Sequence, residues 1–287
     1  MSAAGFSSAT SDREVDSSSD WSRGCRQKPP LFVLGRLCYN RFVPDDLDRR
    51  RRNKARWVEV RLCEFYGPRP YDPKAYDSDL MGALVATLLS QHTSDLNSGR
   101  AYASLKRAFL GGWEEIRLAP VNQIADAIRC GGLAEMKAPR IKRLIQDVYD
   151  RTGATDLGLL RELPSDAERL GFLKSFHGIG PKTAACVLCF NMGRPVIPVD
   201  THVHRVSMRL GLIGLKTTAD RAHDELLSLL PAKDAYSFHV HLIEHGRAIC
   251  HSRRPECGRC PVRARCDYAA AQSGKQNGAR EISKPAV

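Results

Sequence analysis

Lys182 occupies an electrostatically unfavourable position in the stretch FHGIGPKTAACVL, which runs from Phe176 to Leu188. Pro181 predicts the start of a helix, and the positive end of a helix dipole opposes an ammonium in the first turn by about 0.3–1 kcal/mol. At 100° per residue, Lys182 lies about 160° from Ala184 and therefore faces outward. Either a bound phosphate compensates its charge, or the field favours a neutral amine that acts as a nucleophile. This stretch alone leaves both explanations open.

The turn before Lys182 contains two glycines, which allow its backbone to adopt positive φ. Its amides and the start of the following helix would form a cradle for a phosphate oxygen, which is a sequence-independent way to hold DNA. A G-x-G pattern by itself is weak, because most such patterns mark turns only. The predicted phosphate contacts in this turn are Gly178, Ile179, Gly180 and Thr183.

Asp200 follows Lys182 by eighteen residues, in the stretch IPVDTHVHRV. It precedes a predicted helix with an apolar stripe at Val203, Val206 and Leu210, so its simplest role is that of an N-cap. A helix start after a short Gly-Arg-Pro connection would also return this carboxylate to the hairpin. There it would orient the lysine and exchange its proton.

Four cysteines near the C-terminal end have the spacing C-x6-C-x2-C-x5-C: Cys250, Cys257, Cys260 and Cys266. Structural zinc usually offers two tight Cys pairs, and only one C-x-x-C is present. Four thiolates with longer gaps suit an iron–sulfur cluster, although ferredoxin spacings differ. The intervening loop is rich in arginine, including Arg253 and Arg254. It is typical of a phosphate clamp.

The cysteines at positions 25, 38, 63, 130, 186 and 189 lack ligand spacing, and we predict ordinary thiols. The segment HLIEH, from His241 to His245, matches the H-x-x-E-H pattern of zinc proteases. It runs into Cys250 without an obvious third ligand. We therefore predict a helix that leads to the cysteines.

The elements that must position these residues are helices. From about residue 55 the apolar periodicity is helical, with breaks every 10–15 residues and no alternating strand, so we predict an all-α fold. The patterns predict helices at 80–90, at 95–108 after a cap at 93–95, at about 122–129, at 138–150, from 165 to Gly178, and from Pro181. Ser165 and Glu168 have the spacing of a capping box.

The charge balance indicates a polyanionic partner. The 44 Lys and Arg residues outnumber the 32 Asp and Glu residues, which gives a net charge of +12 and a pI near 9.4. No apolar run approaches the length of a membrane span, and the Ser-rich, partly acidic start is not a secretory leader. Nucleic acid is therefore the favoured partner, and we expect a cytoplasmic, nucleoid-associated protein. The basic run RRRRNKAR at 49–56 predicts a solvated arm, with weak phosphate contact as the alternative.

Together the motifs GIGPKTA and VDTHVHR and the four-cysteine spacing resemble the endonuclease III family of helix–hairpin–helix DNA glycosylases, over roughly residues 55–268. The resemblance implies an all-α fold of two domains with DNA bound in the cleft between them. A six-helix barrel would span 73–194, and a 4Fe–4S cluster domain would comprise 55–72 and 195–270. Residues 1–54 would be a disordered basic extension and 271–287 a flexible tail.

The resemblance also implies roles for individual residues. Lys182 takes the place of the Schiff-base lysine and Asp200 that of the catalytic aspartate, while the four cysteines match the ligands of the 4Fe–4S cluster. GGLAEMKA resembles the loop that inserts Leu133 into the duplex, and SQHTSD resembles the segment that fills the gap left by the flipped base, with Gln91 or His92. His202 of VDTHVHR would also contact DNA.

The implied function is that of a monomeric, bifunctional DNA glycosylase and AP lyase acting on double-stranded DNA with damaged bases, expected to be oxidised pyrimidines, or abasic sites. Adenine-excising relatives use a glutamate before the gap-filling segment, and no acidic residue lies between Asp79 and Asp95. Uracil or thymine mismatch relatives generally lack the lysine. A non-catalytic, cluster-bearing DNA-binding paralogue is the alternative of another class, and such a protein would not need Lys182.

Overall fold

The computed structural model describes residues 46–76 and 78–272. These residues form helices and turns with no strand, which confirms the all-α prediction. The helices are α1 Asp46–Tyr66, α2 Leu80–Ser90, α3 Asp95–Ala108, α4 Gly112–Leu118, α5 Val121–Ile128, α6 Ala134–Thr152, α7 Asp166–Lys174, α8 Pro181–Cys186, α9 Thr201–Leu210, α10 Ala219–Leu227 and α11 Ala235–Ala248. A π-helical turn, Val187–Asn191, continues α8. No helix in the described part is long and apolar enough to cross a membrane.

Side-chain caps set the start of several helices, as the sequence predicted. Ser94 accepts a hydrogen bond from the amide of Asn97 at the start of α3. Ser165 accepts one from the amide of Glu168 at 3.2 Å at the start of α7. A polar side chain at this position satisfies an amide that the helix itself leaves without a partner.

The basic run at 49–56, for which a solvated arm was predicted, is part of a helix. The basic run lies within α1, whose first turn carries Asp46 and Asp48, and negative charges there stabilise a helix start. Ala55, Val58 and Leu62 are fully buried at helical spacing, so one face of the helix is held by packing while its arginines stay in solvent. Residues 46–54 are therefore helical rather than disordered, and the rest of the predicted extension lies outside the described residues.

Two helix ends also differ from the prediction, and one helix was not predicted. Helix α6 starts at Ala134, before Pro139, because the Leu133 carbonyl already accepts hydrogen bonds from the amides of Met136 and Lys137. Helix α4 was not predicted, since it begins at Gly112 directly after Gly111 and has only seven residues. Helix α7 ends at Lys174, so the turn before α8 is longer than predicted.

The described residues contain two hydrophobic cores. One is built by residues of α2 to α8 and includes Leu84, Ile141 and Phe176. The other joins α1 to residues 197–262 and includes Leu62 and Phe238. The chain thus crosses from one core to the other between Val196 and Ile197, close to Lys182 and Asp200. The domain boundaries inferred from the sequence stay a prediction.

Candidate active site and wedge turns

The glycine turn before α8 exposes backbone rather than side chains. Gly178 and Gly180 are exposed, and Gly178 has φ of +81° with no atom within 4 Å of an added Cβ. Ile179 and Thr183 are only 4% and 5% exposed. Thr183 is therefore buried beside the turn, while Ile179 anchors the turn in the core.

Lys182 and Asp200 line the same open pocket, of about 520 Å³, together with His202, His204 and Arg247. Lys182 is exposed, as its position on α8 predicted. Asp200 is the N-cap of α9, and its Oδ1 accepts a hydrogen bond from the Val203 amide at 2.7 Å. The two roles left open for Asp200 are thus compatible, since an N-cap position also brings its carboxylate to the pocket of Lys182.

Sequence reasoning missed Arg247, which lines this pocket from α11. Its Nη2 lies 3.7 Å from Oδ2 of Asp95 at the start of α3. The pair is exposed on both sides, so it stabilises the fold little. No local pattern marks Arg247, because its neighbours in the pocket come from distant parts of the chain.

The turns that contain His92 and Leu133, which we call the wedge turns, are strained. His92 and Leu133 both have φ of +55°, a left-handed conformation that costs a residue with a Cβ about 1–2 kcal/mol. His92 is exposed, and Leu133 is 46% exposed although it is a large apolar residue. Gln91 is half-buried as the C-cap of α2. Strain of this kind clusters at functional sites.

The arginines of the cysteine loop, Arg253 and Arg254, are exposed. Arg254 has φ of +51° and is the remaining non-glycine residue with positive φ in the described part of the chain. All three residues with this strain therefore belong to the set that the sequence assigned to DNA contact.

The four cysteines of the C-x6-C-x2-C-x5-C pattern line one cavity, and none forms a disulfide. Arg209 Nη1 lies 3.3 Å from Sγ of Cys250, and His245 Nε2 lies 3.5 Å from Sγ of Cys260. Burial raises the pKa of the Cys260 thiol to about 11. In the described residues, no group of three or more His, Cys, Asp or Glu side chains is arranged to hold a metal ion.

The donor set nevertheless fits an iron–sulfur cluster. Four thiols around a shared cavity match the ligand type that such clusters require, and polar donors toward ligand sulfurs are a usual support. A cluster several atoms across needs its ligands around a cavity rather than at one point. The donor type and the shared cavity therefore suit a cluster, while no metal-holding arrangement is found among the described side chains.

Two of the predicted ordinary thiols, Cys186 and Cys189, have raised pKa values, and the HLIEH segment is helical as predicted. Burial raises the pKa of Cys186 to about 11 and that of Cys189 to about 12, which makes both unreactive. HLIEH lies in α11, where His241 contacts Glu59 of α1. Cys25 and Cys38 lie outside the described residues.

Residues 85–232 match the family model of HhH-GPD superfamily base excision DNA repair proteins. The chain is 34% identical over 195 residues to endonuclease III of Sulfolobus acidocaldarius, which covers 66% of this chain and 82% of that protein. It is 36% identical over 174 residues to a DNA glycosylase-like protein of Arabidopsis thaliana, across 61% of this chain and 58% of the relative. With DNA glycosylase/AP lyase ROS1 of the same plant it shares 29% identity over 176 residues, which is 55% of this chain and 13% of ROS1.

Among solved structures, a non-covalent endonuclease III–DNA complex superposes with a TM-score of 0.62 at 24% identity, across 78% of this chain and 98% of the other. This similarity shows the fold. The chain belongs to the HhH-GPD superfamily of base excision DNA repair proteins. Within that superfamily, its resemblance to the endonuclease III family is confirmed.

Proposed function

We propose that this protein is a bifunctional DNA glycosylase and AP lyase that removes oxidised pyrimidines. The observation that carries the proposal is the shared pocket of Lys182 and Asp200, beside a glycine turn with exposed backbone. An exposed amine next to a carboxylate can lose a proton to it and become a nucleophile. The names of two relatives, endonuclease III and DNA glycosylase/AP lyase ROS1, support the same reaction class.

In the proposed reaction, the Lys182 amine attacks the sugar C1′ of the damaged nucleotide. The bond from C1′ to the base breaks, and its electron pair leaves with the base while Asp200 accepts a proton from the amine. Opening of the sugar ring gives an imine between Lys182 and C1′. Loss of a proton from C2′ then expels the 3′ phosphate by β-elimination, which cuts the strand.

The other predicted site residues hold and open the DNA. The amides of the glycine turn would donate hydrogen bonds to a phosphate oxygen, and His202, Arg253 and Arg254 would contact the DNA backbone. Leu133 would enter the duplex and Gln91 or His92 would fill the space of the extruded base. The solved structure that shares the fold is an endonuclease III–DNA complex, which supports double-stranded DNA as the partner.

Cys250, Cys257, Cys260 and Cys266 would hold a 4Fe–4S cluster. When bound, the cluster supplies a rigid cross-link for the arginine loop and takes no part in base removal. Because four cysteine thiolates hold one 4Fe–4S cluster, we expect brown protein with about four irons per chain. Substitution of Cys257 by serine should lower the iron content. Native protein that is colourless and loaded with zinc would contradict this assignment.

Borohydride reduction tests the mechanism, because it traps an imine as a stable amine. Incubation with duplex DNA that contains an abasic site should give a covalent complex, and Lys182→Gln should abolish it. Lys174→Gln is the matched control, since Lys174 is also exposed and does not line the Lys182 pocket. Full trapping by Lys182→Gln would overturn the mechanism.

A panel of duplexes with thymine glycol, dihydrouracil, uracil or an abasic site tests the substrate class. Cleavage of the two oxidised or reduced pyrimidines in preference to uracil supports the proposal. Preference for uracil opposite guanine would favour the mismatch alternative, and binding without cleavage of any duplex would favour the non-catalytic one.

A further inference from the structure

Lys137 is the one lysine among the described residues that is buried, with 4% of its surface exposed. Its Nζ donates to the Leu89 carbonyl and to Oγ1 of Thr93, both at 2.6 Å. Burial lowers its pKa. A buried ammonium without partners would cost much free energy, so the positions of these two acceptors and of Lys137 depend on one another.

The contact continues from Lys137 into the second wedge turn. The Thr93 hydroxyl accepts from Lys137, and its proton can be donated to the Gly131 carbonyl at 3.2 Å or to the Gln91 carbonyl at the longer distance of 3.4 Å. Gly131 packs against α3 so closely that an added Cβ would lie 2.6 Å from Cβ of Ala101. The carbonyl that Thr93 reaches is therefore fixed in place by backbone packing.

This network joins the two strained turns. Thr93 directly follows His92, and Gly131 precedes Leu133 by two residues. Lys137 also holds Leu133 through the backbone, because its amide donates to the Leu133 carbonyl at 3.0 Å. Strained residues persist only where their surroundings over-determine them, and the bonds of Lys137 reach Leu133 itself and Thr93, the residue next to His92.

We propose that Lys137 is a positioning residue that couples the two wedge turns. Through Leu89, Thr93 and Gly131, it fixes the spacing between His92 and Leu133, so that the two side chains act as one rigid device for base extrusion. The inference rests on the proposed function, in which these side chains enter the duplex. If Lys137 served only to stabilise the fold, its substitution would slow extrusion and the chemical step to the same extent.

The test separates extrusion from chemistry. Thr93→Val removes the hydroxyl that connects the turns with little change in volume, and Thr93→Ser retains it. Single-turnover excision of a lesion in duplex DNA reports extrusion plus chemistry. Borohydride trapping on an abasic nucleotide reports chemistry alone, since no base has to be unstacked there.

We expect Thr93→Val to slow excision in duplex DNA by about 10- to 100-fold, as for a buried donor left without a partner, and to leave the trapping rate within about twofold of the wild type. Thr93→Ser should restore excision. A fluorescent base analogue placed at the lesion should show the extruded state with the wild type and with Thr93→Ser, and lose it with Thr93→Val.

Lys137→Met is the second variant, measured below its melting temperature so that folding does not limit the result. It should reproduce the selective loss of excision. An equal loss of excision and trapping, or wild-type excision in both variants, would overturn the coupling. Failure of the proposed function itself would be distinct, because the wild-type protein would then trap no abasic DNA.

Discussion

The glycine turn before Lys182 and the wedge turns solve the same backbone problem in opposite ways. Both require left-handed backbone. In the first, positive φ falls on Gly178, which adopts it without strain. In the wedge turns, Gly132 adopts positive φ as well, but so do His92 and Leu133, which pay about 1–2 kcal/mol each for it.

The difference teaches what each turn presents to its ligand. Where the ligand is a phosphate held by amides, the side chain is dispensable and glycine is the stable choice. In the proposed function, His92 and Leu133 enter the duplex, so their side chains would be required and would be retained despite the strain. Replacing a strained side chain of the wedge turns by glycine should therefore lower activity without lowering stability. Replacing Gly178 by a residue with a Cβ should lower stability.

The largest expected effect is that of Leu133→Gly on the excision of a paired lesion. Extrusion costs a few kcal/mol, so loss of the wedge should slow excision by about 100-fold at 1.36 kcal/mol per tenfold. Single-turnover kinetics on duplex DNA measure this. The unfolding free energy should not fall, because the change relieves strain at a half-exposed position. A variant that is both active and destabilised would break the comparison.

Gly178→Ala should show the reverse behaviour. An alanine at φ of +81° should lower the free energy of unfolding by about 1 kcal/mol, since strain of about 1–2 kcal/mol is partly offset by a less flexible unfolded chain. Urea denaturation measures it. Gly99→Ala is the matched control, because Gly99 lies inside α3 with open space around it, and it should raise stability by about 0.5–1 kcal/mol.

The sequence predicted the parts that depend on local signals. The caps at Ser94 and Ser165 and the proline start of α8 follow from residue types at fixed spacing, and the structure has them. The early start of α6 was missed because a left-handed Leu133 has no local signature, glycine being the residue expected there. The start of α1 at Asp46 was missed because residues 46–54 are mostly charged and show no apolar periodicity, whereas the helical pattern begins at about residue 55.

The candidate site divides in the same way. Lys182, Asp200 and the four cysteines stand out in the sequence because their motifs are specific. Arg247 and Lys137 do not, since their partners are more than forty residues away along the chain. Long-range partners of this kind become visible only when the helices are in place.

The third prediction concerns which residue fills the gap left by the base. His92 has strained positive φ and Gln91 does not. If such strain is retained only where the side chain is needed for function, we expect His92 rather than Gln91 to fill the gap. His92→Ala should slow excision of a paired lesion by about 2- to 10-fold, as for one hydrogen bond. Gln91→Ala should have a smaller effect in the same single-turnover assay, and a larger one would assign the role to Gln91.

The smallest effect is expected at Arg254, the strained residue outside the wedge turns. Removal of one phosphate contact should reduce the slope of log affinity against log salt by about 0.9, which changes affinity about threefold between 50 and 200 mM salt. Titrations of undamaged duplex with Arg254→Gly should show this reduced salt dependence. The variant should be as stable as the wild type, because glycine tolerates φ of +51°. Leu133→Gly is the control and should leave the slope unchanged, since it removes no charge. An unchanged slope for Arg254→Gly would mean that the strained backbone of Arg254 has no function in DNA binding. The link between strained backbone and a required side chain would then hold for the wedge turns alone.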